Sequence, residues 1–190
     1  MQDNIILAGV GGQGILSIAG VLALGAIRHE LFVKQSEVHG MSQRGGAVVS
    51  HIRISDKEIQ SVLIKHSCAN AIISVEPLEV LKQLPFLRPG GIIISNTEVY
   101  DKNIFPEVEK VLEEIRKIPG SILINADKLA MKAGNKKSAN MVLLGAASLH
   151  LNLGKEIILE GLNQLFAPKG ERVLEINMNA FNLGMEEIKE

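Results

Sequence analysis

Apolar and polar positions along the chain form two alternating kinds of segment. Short apolar runs bounded by turn residues predict strands at residues 4–8, 31–35, 69–75, 92–95 and 121–125, of which 4–8 and 69–75 are expected to be buried. Alternation of apolar and polar residues predicts a half-buried strand over 47–54, and the run 59–64 is predicted to return as its hairpin mate. Longer segments with helical spacing predict helices from Pro77 onward and over residues 12–28, 106–117, 127–133, 138–153, 155–166 and 171–188.

Strands separated by helices predict βαβ units and therefore an α/β fold. The expected architecture is a Rossmann-like three-layer domain with a mostly parallel sheet, made mixed by the hairpin, and a helical C-terminal part. No linker or repeat divides the chain, so we expect one domain over residues 1–190. Because ligands of such sheets bind beyond the carboxyl ends of the strands, four loops are expected at one edge, at residues 9–14, 36–46, 76 and 125–140.

The composition is that of a globular domain: of 190 residues, 46% are hydrophobic and 22% are charged, and the formal net charge is −1. This near-neutral balance and the 3% aromatic content provide neither a basic stripe nor stacking platforms, so nucleic acid is not an expected partner. The apolar stretch 15–27 is too short to cross a bilayer, and no basic segment precedes the first apolar run. We therefore expect no membrane contact and a cytoplasmic location.

The chain contains one cysteine, Cys68. A single thiol cannot form a disulfide within the chain, a four-thiolate iron–sulfur cluster or a structural zinc site built on cysteine. Because free cysteines are commonly buried, a small buried hydrophobe is the expected role of Cys68. The histidines His51, His66 and His150 lack metal-ligand spacing to one another and are expected to be structural.

A glycine-rich loop directly follows the first predicted strand and opens the first helix. Its sequence, Gly9-Val-Gly-Gly-Gln-Gly14, matches the GxGxxG pattern, in which free N–H groups and the helix dipole favour a phosphate. Three interpretations are open: tight strand-to-helix packing without a ligand, binding of the phosphates of a shared cofactor, or a dinucleotide site. The last of these would use Glu37 as the acid that binds the ribose.

The stretch 36–46 combines residue types that a core strand or a plain surface loop seldom needs. It holds a potential helix cap, an acid, an imidazole, an amide and a guanidinium, at Ser36, Glu37, His39, Gln43 and Arg44. Arg44 precedes two glycines and can offer a planar fork and bare backbone to a carboxylate or phosphate. The alternative is a capped short helix in which Arg44 pairs with Glu37, and the residues alone favour neither.

Two strings, taken together, resemble a known family. Ile6-Leu-Ala-Gly-Val-Gly-Gly-Gln-Gly14 and Ser36-Glu-Val-His-Gly-Met-Ser-Gln-Arg-Gly-Gly46 resemble the gamma domain of the pyruvate, ketoisovalerate, 2-oxoglutarate and indolepyruvate ferredoxin oxidoreductases. Residues 135–146, with Asn140 followed by small and apolar residues, are similar to a later helix of that family. The glycine loop alone is unspecific, whereas the second string is highly specific. The resemblance extends over essentially the whole chain.

The resemblance implies a subunit, inactive alone, of a complex that oxidatively decarboxylates a 2-oxoacid to an acyl-CoA and passes electrons to ferredoxin. It implies that thiamine diphosphate, Mg²⁺ and iron–sulfur clusters belong to thiamine-binding and ferredoxin-like partner subunits, with none on this chain. It also implies that this domain helps to shape the coenzyme A side of the active site. The residues carried over, for positioning and anion binding rather than proton transfer, are Gly11, Gly12, Gln13, Gly14, Glu37, Gln43, Arg44 and Asn140.

The main alternative is a free-standing protein with an NAD- or FAD-binding Rossmann fold, based on the glycine loop and Glu37. A scaffold whose glycines touch no ligand is a third interpretation. The identity of the 2-oxoacid is open at this point. Two almost wholly apolar helices, at 15–27 and 138–149, predict that the isolated chain exposes an apolar face or self-associates, for instance as a homodimer.

Overall fold

The structure is a computed structural model that describes residues 1–40, 45–101 and 107–188. Within these residues the chain forms one sheet with the strand order β2-β3-β1-β4-β5-β6. The strands are β1 (Gln2–Val10), β2 (Phe32–His39), β3 (Ala47–Ser55), β4 (Ala69–Ser74), β5 (Leu87–Asn96) and β6 (Ser121–Ile124). The helices are α1 (Ile15–Arg28), α2 (Pro77–Gln83), α3 (Val108–Arg116), α4 (Ala126–Ala133), α5 (Ala139–Ser148), α6 (Lys155–Phe166) and α7 (Glu171–Glu187).

The sheet is mixed, with a parallel majority. Strands β1, β4, β5 and β6 run parallel to one another, whereas β3 lies antiparallel to both of its neighbours, β1 and β2. Helices cover both faces. One core packs α1 and α4 to α7 against the sheet, and a smaller core packs α2 and α3 against the opposite face through Ile6, Ile72 and Ile93. The predicted three-layer α/β fold with a helical C-terminal part is confirmed.

Double coverage explains the continuous apolar runs of the central strands, because both faces of β1 and β4 meet helices. Ile5, Ile6 and Leu7 of β1 are fully buried although they alternate between the two faces. The edge strand β2 has one neighbour and little cover, so it tolerates polar side chains. Its register with β3 places Ser36 opposite His51 and Glu37 opposite Ser50.

The predicted hairpin mate of β3 was wrong. The hairpin partner of β3 is β2, which continues through residues 36–39, so the open alternative of a short helix capped by Ser36 does not form either. The run 59–64 is not a strand; Ile59 and Ile64 are buried in an irregular segment, and the backbone N–H of Ile64 donates to Nδ1 of His51. Both β2 and the run 59–64 contain apolar side chains, but the spacing of these side chains does not show which of the two segments pairs with β3.

The predicted helix over 138–153 is shorter in the structure, because α5 ends at Ser148. The chain beyond it turns back onto the start of β1, where the buried Asp3 carboxylate accepts hydrogen bonds from Asn152 and from the backbone N–H of Leu153. These bonds satisfy a buried acid and hold the turn that leads into α6.

The expected burial of Cys68 was also wrong. Its side chain is exposed, immediately before β4, while the next residue, Ala69, takes the buried position. The backbone of Cys68 is held on both sides, since its N–H donates to the Phe86 carbonyl and its own carbonyl accepts from Nδ2 of Asn4.

Candidate functional site

The carboxyl ends of β1, β4, β5 and β6 meet at one edge of the sheet, as the strand directions require. The glycine loop between β1 and α1 lies there, and the backbone N–H of Gly11 donates to the carbonyl of Gly46 at 2.9 Å, just before β3. Gly12 and Gly14 have φ of 98° and 79°, a conformation that favours glycine, so α1 begins only at Ile15. The predicted gathering at this edge is confirmed for the loops at 9–14 and 76 and for the end of 125–140, whereas residues 36–39 belong to β2 and residues 126–133 form α4.

Gln13 ties the glycine loop to the end of β4. Its Oε1 accepts from the Val10 N–H at 2.8 Å, and its Nε2 donates to Oε2 of Glu76 at 3.2 Å. Both ends of the amide are therefore used within the protein. This arrangement suits a residue that shapes the loop rather than one that points freely at a ligand.

Glu76, directly after β4, is a buried acid at the centre of this edge. The residue is 1% exposed. Its Oε2 also accepts from the backbone N–H of Tyr100 at 2.9 Å, while Oε1 is buried without a hydrogen-bond partner among the described residues. Burial raises the pKa of this carboxyl, and the nearby Glu79 and Asp127 add to the effect, whereas the hydrogen bonds from Tyr100 and Gln13 oppose it.

Asn140, near the start of α5, is joined to the last residue of the glycine loop. Its Nδ2 donates to the Gly14 carbonyl at 3.0 Å. A Cβ built on Gly14 would lie 2.5 Å from the same Nδ2, so any side chain at this position would displace Asn140. Gly14 therefore serves both the left-handed turn and the close approach of α5 to the start of α1.

A cavity of about 460 Å³ opens at this edge. Gly12 and Gln13 of the glycine loop line it, together with Tyr100 and with two cations and two acids, Lys136, Lys137, Glu98 and Asp127. Gly12 and Lys137 also border a neighbouring cavity of about 330 Å³, together with Gly14, Asn140 and Lys169. We call the two together the carboxyl-edge site.

The two lysines of this site differ in their surroundings. Nζ of Lys136 lies 2.9 Å from Oδ2 of Asp127, and this hydrogen bond, reinforced by the charge of Asp127, raises the pKa of Lys136. Lys137 has no carboxylate partner among residues 1–40, 45–101 and 107–188. Its charge is therefore available to an anion that enters the site.

Five of the residues predicted for the site come together here, namely Gly11, Gly12, Gln13, Gly14 and Asn140. Glu37 does not join them. It lies in β2, where its carboxylate contacts Nε2 of His39, and β3 separates that strand from β1. Gln43 and Arg44 lie outside the described residues.

The strand order bears on the dinucleotide interpretation. In that interpretation the acid follows a strand next to the one that precedes the glycine loop. Here the strand of Glu37 lies two strand spacings from β1, roughly 10 Å to the side. This arrangement gives no support to a ribose contact from Glu37.

Sequence reasoning missed several residues of the site, among them Glu76, Tyr100, Lys136 and Lys137. Glu76 had a detectable signal, because it directly follows a buried strand and precedes a helix-starting proline. The two adjacent lysines before an almost wholly apolar helix were a second signal. Tyr100 gave none, since its role depends on a backbone N–H that meets Glu76 from another loop.

Two searches of the described part of the chain concern other kinds of site. No group of three or more His, Cys, Asp or Glu side chains there is placed to hold a metal ion. No helix there has the length and apolar character needed to span a membrane.

Comparison with known proteins places the chain in a family. Residues 4–187 match the family described as pyruvate ferredoxin/flavodoxin oxidoreductase. Indolepyruvate oxidoreductase subunit IorB of Thermococcus kodakarensis is 35% identical over 202 residues, which cover 100% of this chain and 97% of that protein. The common gamma subunit of the pyruvate/ketoisovalerate oxidoreductases from the same organism is 30% identical over 92% of each chain.

A solved structure agrees in fold. The 2-oxoglutarate:ferredoxin oxidoreductase of Magnetococcus marinus, determined with 2-oxoglutarate, coenzyme A and succinyl-CoA bound, superposes with a TM-score of 0.76 at 24% identity. The superposition covers 99% of this chain and 31% of that one. At this identity the likeness shows the shared fold.

The α/β fold described above is thus shared with a solved 2-oxoacid:ferredoxin oxidoreductase. The chain belongs to the pyruvate ferredoxin/flavodoxin oxidoreductase family. It is a small subunit of the gamma type and part of a 2-oxoacid:ferredoxin oxidoreductase, as the resemblance predicted.

Proposed function

We propose that this subunit completes the active site of its complex on the coenzyme A side, while partner subunits carry the other cofactors. The overall reaction is the oxidative decarboxylation of a 2-oxoacid to an acyl-CoA, with electrons passed to ferredoxin. The observation that carries the proposal is the carboxyl-edge site, in which the glycine loop, Lys136 and Lys137 line one cavity of about 460 Å³.

The glycine loop and Lys137 fit an anionic cofactor, and of the two acids in the lining Asp127 is paired with Lys136. Lys137 lacks an internal carboxylate partner within the described residues, and the N-terminus of α1 favours negative charge nearby. Val75, Val99 and Ala139 add apolar wall to the cavity. Its volume falls within the range of about 300–1,000 Å³ that small-molecule sites occupy. The Magnetococcus marinus protein, whose structure contains coenzyme A, has the same fold.

In this proposal the chain's own residues bind and orient. Lys137 attracts an anionic group of coenzyme A, and Gly12 lets the backbone approach it closely. Gln13 and Asn140 line the cavities, but they are positioning residues, because their side chains form hydrogen bonds within the protein that hold the glycine loop. Gln43 and Arg44 stay predicted anion-binding residues, and Glu37 stays a predicted site residue on the edge strand β2.

The chain itself carries no cofactor in this proposal. Its one cysteine cannot ligate a four-thiolate cluster. Thiamine diphosphate with Mg²⁺ supplies the decarboxylation chemistry, and iron–sulfur clusters carry the electrons, on thiamine-binding and ferredoxin-like partner subunits. The acyl acceptor must approach from a side that those subunits leave open, and we assign that side to the carboxyl-edge site.

The test is the Lys137→Ala variant in the assembled complex. Loss of one charge-assisted contact is expected to raise the KM for coenzyme A about 10-fold. The KM for the 2-oxoacid and the kcat at saturating coenzyme A should not change, because the contact acts on coenzyme A alone. Lys132→Ala is the matched control, since Lys132 is an exposed lysine of α4 that does not line the cavity. An unchanged KM for coenzyme A in Lys137→Ala would refute the role of Lys137.

A further inference from the structure

The opposite edge of the sheet holds a second basic cavity, of about 730 Å³. It lies where β1, β4 and β5 begin and β3 ends, at the end of the strands opposite to the glycine loop. Its lining contains four cations, Arg53, Lys57, Lys65 and Arg88, and one acid, Glu58. We call it the amino-edge cavity.

Arg53 is held in place within this cavity. Its Nε donates to Oδ1 of Asn4 at 2.9 Å, and its Nη1 donates to the Ser61 carbonyl at 2.7 Å. Asn4 is fixed in turn, because its Nδ2 donates to the Cys68 carbonyl and its backbone N–H donates to Asn70. The guanidinium is thus oriented by neutral acceptors, and its remaining N–H donors are not used by a carboxylate of the described residues.

The charge of the cavity is only partly compensated internally, because its lining holds one acid, Glu58, and Asp56 lies beside Lys57 in the sequence. None of its four cations forms a salt bridge with an acid in the described part of the chain. Elsewhere on the surface such pairs are common: Lys82, Lys110 and Lys117 each contact a glutamate three residues away. Cations that converge on one concave surface repel one another unless an anion joins them.

The rest of the lining indicates the chemistry of that anion. Gln2, Gln60 and Ser67 add hydrogen-bonding groups, and Ile59 and Ile64 contribute the large apolar side chains. A cavity so rich in polar groups suits a ligand with many oxygen atoms better than one with an extended apolar body. A guanidinium with free donors matches a phosphate or carboxylate in a two-pronged contact.

We propose that the amino-edge cavity binds a small polyanion of the diphosphate type. This site is separate from the carboxyl-edge site and does not depend on the function proposed there. A flat acidic protein surface would reach Lys57, Lys65 and Arg88, which are exposed, but not the half-buried Arg53 in the same way. The concave shape therefore favours a small ligand over a protein partner.

Binding is tested by calorimetric titration of the full chain with pyrophosphate, at low and at high salt. We expect saturable binding that weakens as salt rises, because the contacts are electrostatic. Lys65→Ala and Arg88→Ala should each raise the Kd about 10-fold, as loss of a charge-assisted contact does. Both residues are exposed, so these variants test the site even if Arg53→Met fails to fold.

Cys68 provides an independent readout, because it is exposed and lines the same cavity. Pyrophosphate is expected to slow the alkylation of Cys68 by iodoacetamide in the wild type and to lose this effect in Arg88→Ala. Lys128→Ala is the control, since Lys128 is an exposed lysine on α4, away from the cavity. It should retain both the wild-type Kd and the protection of Cys68.

Several outcomes would overturn the proposal. The first is the absence of both saturable binding and protection of Cys68 at millimolar pyrophosphate. The second is an equal loss of affinity in Lys128→Ala, which would indicate attraction to the surface as a whole. The third is a wild-type chain that ignores pyrophosphate but becomes unreactive at Cys68 on assembly with its partner subunits. That result would assign the cavity to a subunit contact.

Discussion

Glu76 shows how a buried acid can organise a site by holding the loops that form it. Its carboxylate receives one hydrogen bond from the glycine loop and one from Tyr100, so it joins two loops to the end of β4. Glu79, one turn further on, is also buried and has an oxygen without a partner in the described residues. Two buried acids near each other raise the free energy of the charged form of Glu76. The hydrogen bonds that this carboxylate accepts from the two loops act in the opposite direction.

The pH dependence of stability should reveal this carboxyl. A raised pKa means that the folded state binds the proton more tightly than the unfolded state does. The contribution of Glu76 to the free energy of unfolding therefore falls as the pH rises from 4.5, the ordinary pKa of a glutamate, toward the pKa of Glu76 in the folded state. Glu76→Gln removes the charge, so its stability relative to wild type should increase over this range, as measured by urea unfolding at a series of pH values.

Glu76→Ala is the informative contrast. Gln at this position keeps an oxygen that accepts from Gln13 and from Tyr100, whereas Ala leaves both donors without it. Glu76→Ala should therefore be less stable than Glu76→Gln by about 1–3 kcal/mol. Equal stabilities of the two variants, or a pH-independent difference between Glu76→Gln and wild type, would contradict this account of Glu76.

At the scale of elements, the helical layer is built on close approaches of backbone. A Cβ on Gly145 of α5 would lie 1.9 Å from the Phe181 carbonyl oxygen of α7, and a Cβ on Gly184 of α7 would lie 1.9 Å from that of Val142. Each helix thus presents a glycine to the backbone of the other. Because Asn140 stands at the start of α5 and contacts Gly14, this packing also sets the position of the glycine loop.

Gly145→Ala should therefore be strongly destabilising, because backbone atoms cannot move aside as a flexible side chain can. The expected loss is about 3 kcal/mol, or roughly 6–12 °C in Tm for a domain of this size. Gly20→Ala is the matched control within α1: its Cβ would meet only the Leu165 side chain, at 3.6 Å. It should be neutral or should stabilise by about 0.5–1 kcal/mol, as glycine replacement in a helix does. Thermal unfolding followed by circular dichroism measures both, and equal Tm values would disprove the close-packing argument.

Elements with a strong periodic signal were predictable from the sequence, and those defined by their partners were not. The helix 155–166 was predicted with the bounds that α6 has, and the apolar runs of β1 and β4 read as strands because helices cover both faces. The largely polar pattern of residues 36–39 predicted a loop. In the structure these residues belong to an edge strand, whose backbone hydrogen bonds go to β3 alone. They form a strand because they pair with β3, and the local sequence pattern does not predict that pairing.

The same distinction applies to the site. The glycine loop has a local signature, and Asn140 was found through the family resemblance. Lys137 and Tyr100 belong to the site only because separate loops meet at the carboxyl edge. The predicted approach of loops could be derived from strand directions, whereas the side chains that face the cavity depend on the exact path of each loop.

At the scale of the whole molecule, the exposed apolar residues indicate where partners are expected. Leu16, at the first turn of α1, is 51% exposed. It borders a depression of about 360 Å³ together with Gly11, His39 and Val48. Apolar exposure beside the glycine loop is what a subunit that completes a shared active site would need. The other apolar helix behind the predicted self-association, α5, is buried throughout, so that prediction now depends on α1.

The two ends of α1 allow a controlled test of this surface. Ile27 is 60% exposed near the other end of the helix, about 16 Å from Leu16 along its axis. Leu16→Asp should weaken assembly with the proposed thiamine-binding partner by about 2 kcal/mol, or roughly 30-fold in Kd, because the charge would be buried against an apolar partner surface. Ile27→Asp should change the Kd little, although it introduces the same charge on the same helix. Analytical ultracentrifugation of the mixed subunits measures both, with circular dichroism to show that each variant is folded. Equal weakening by the two variants would mean that the contact is not confined to the glycine-loop end, and wild-type assembly of Leu16→Asp would exclude this surface from the interface.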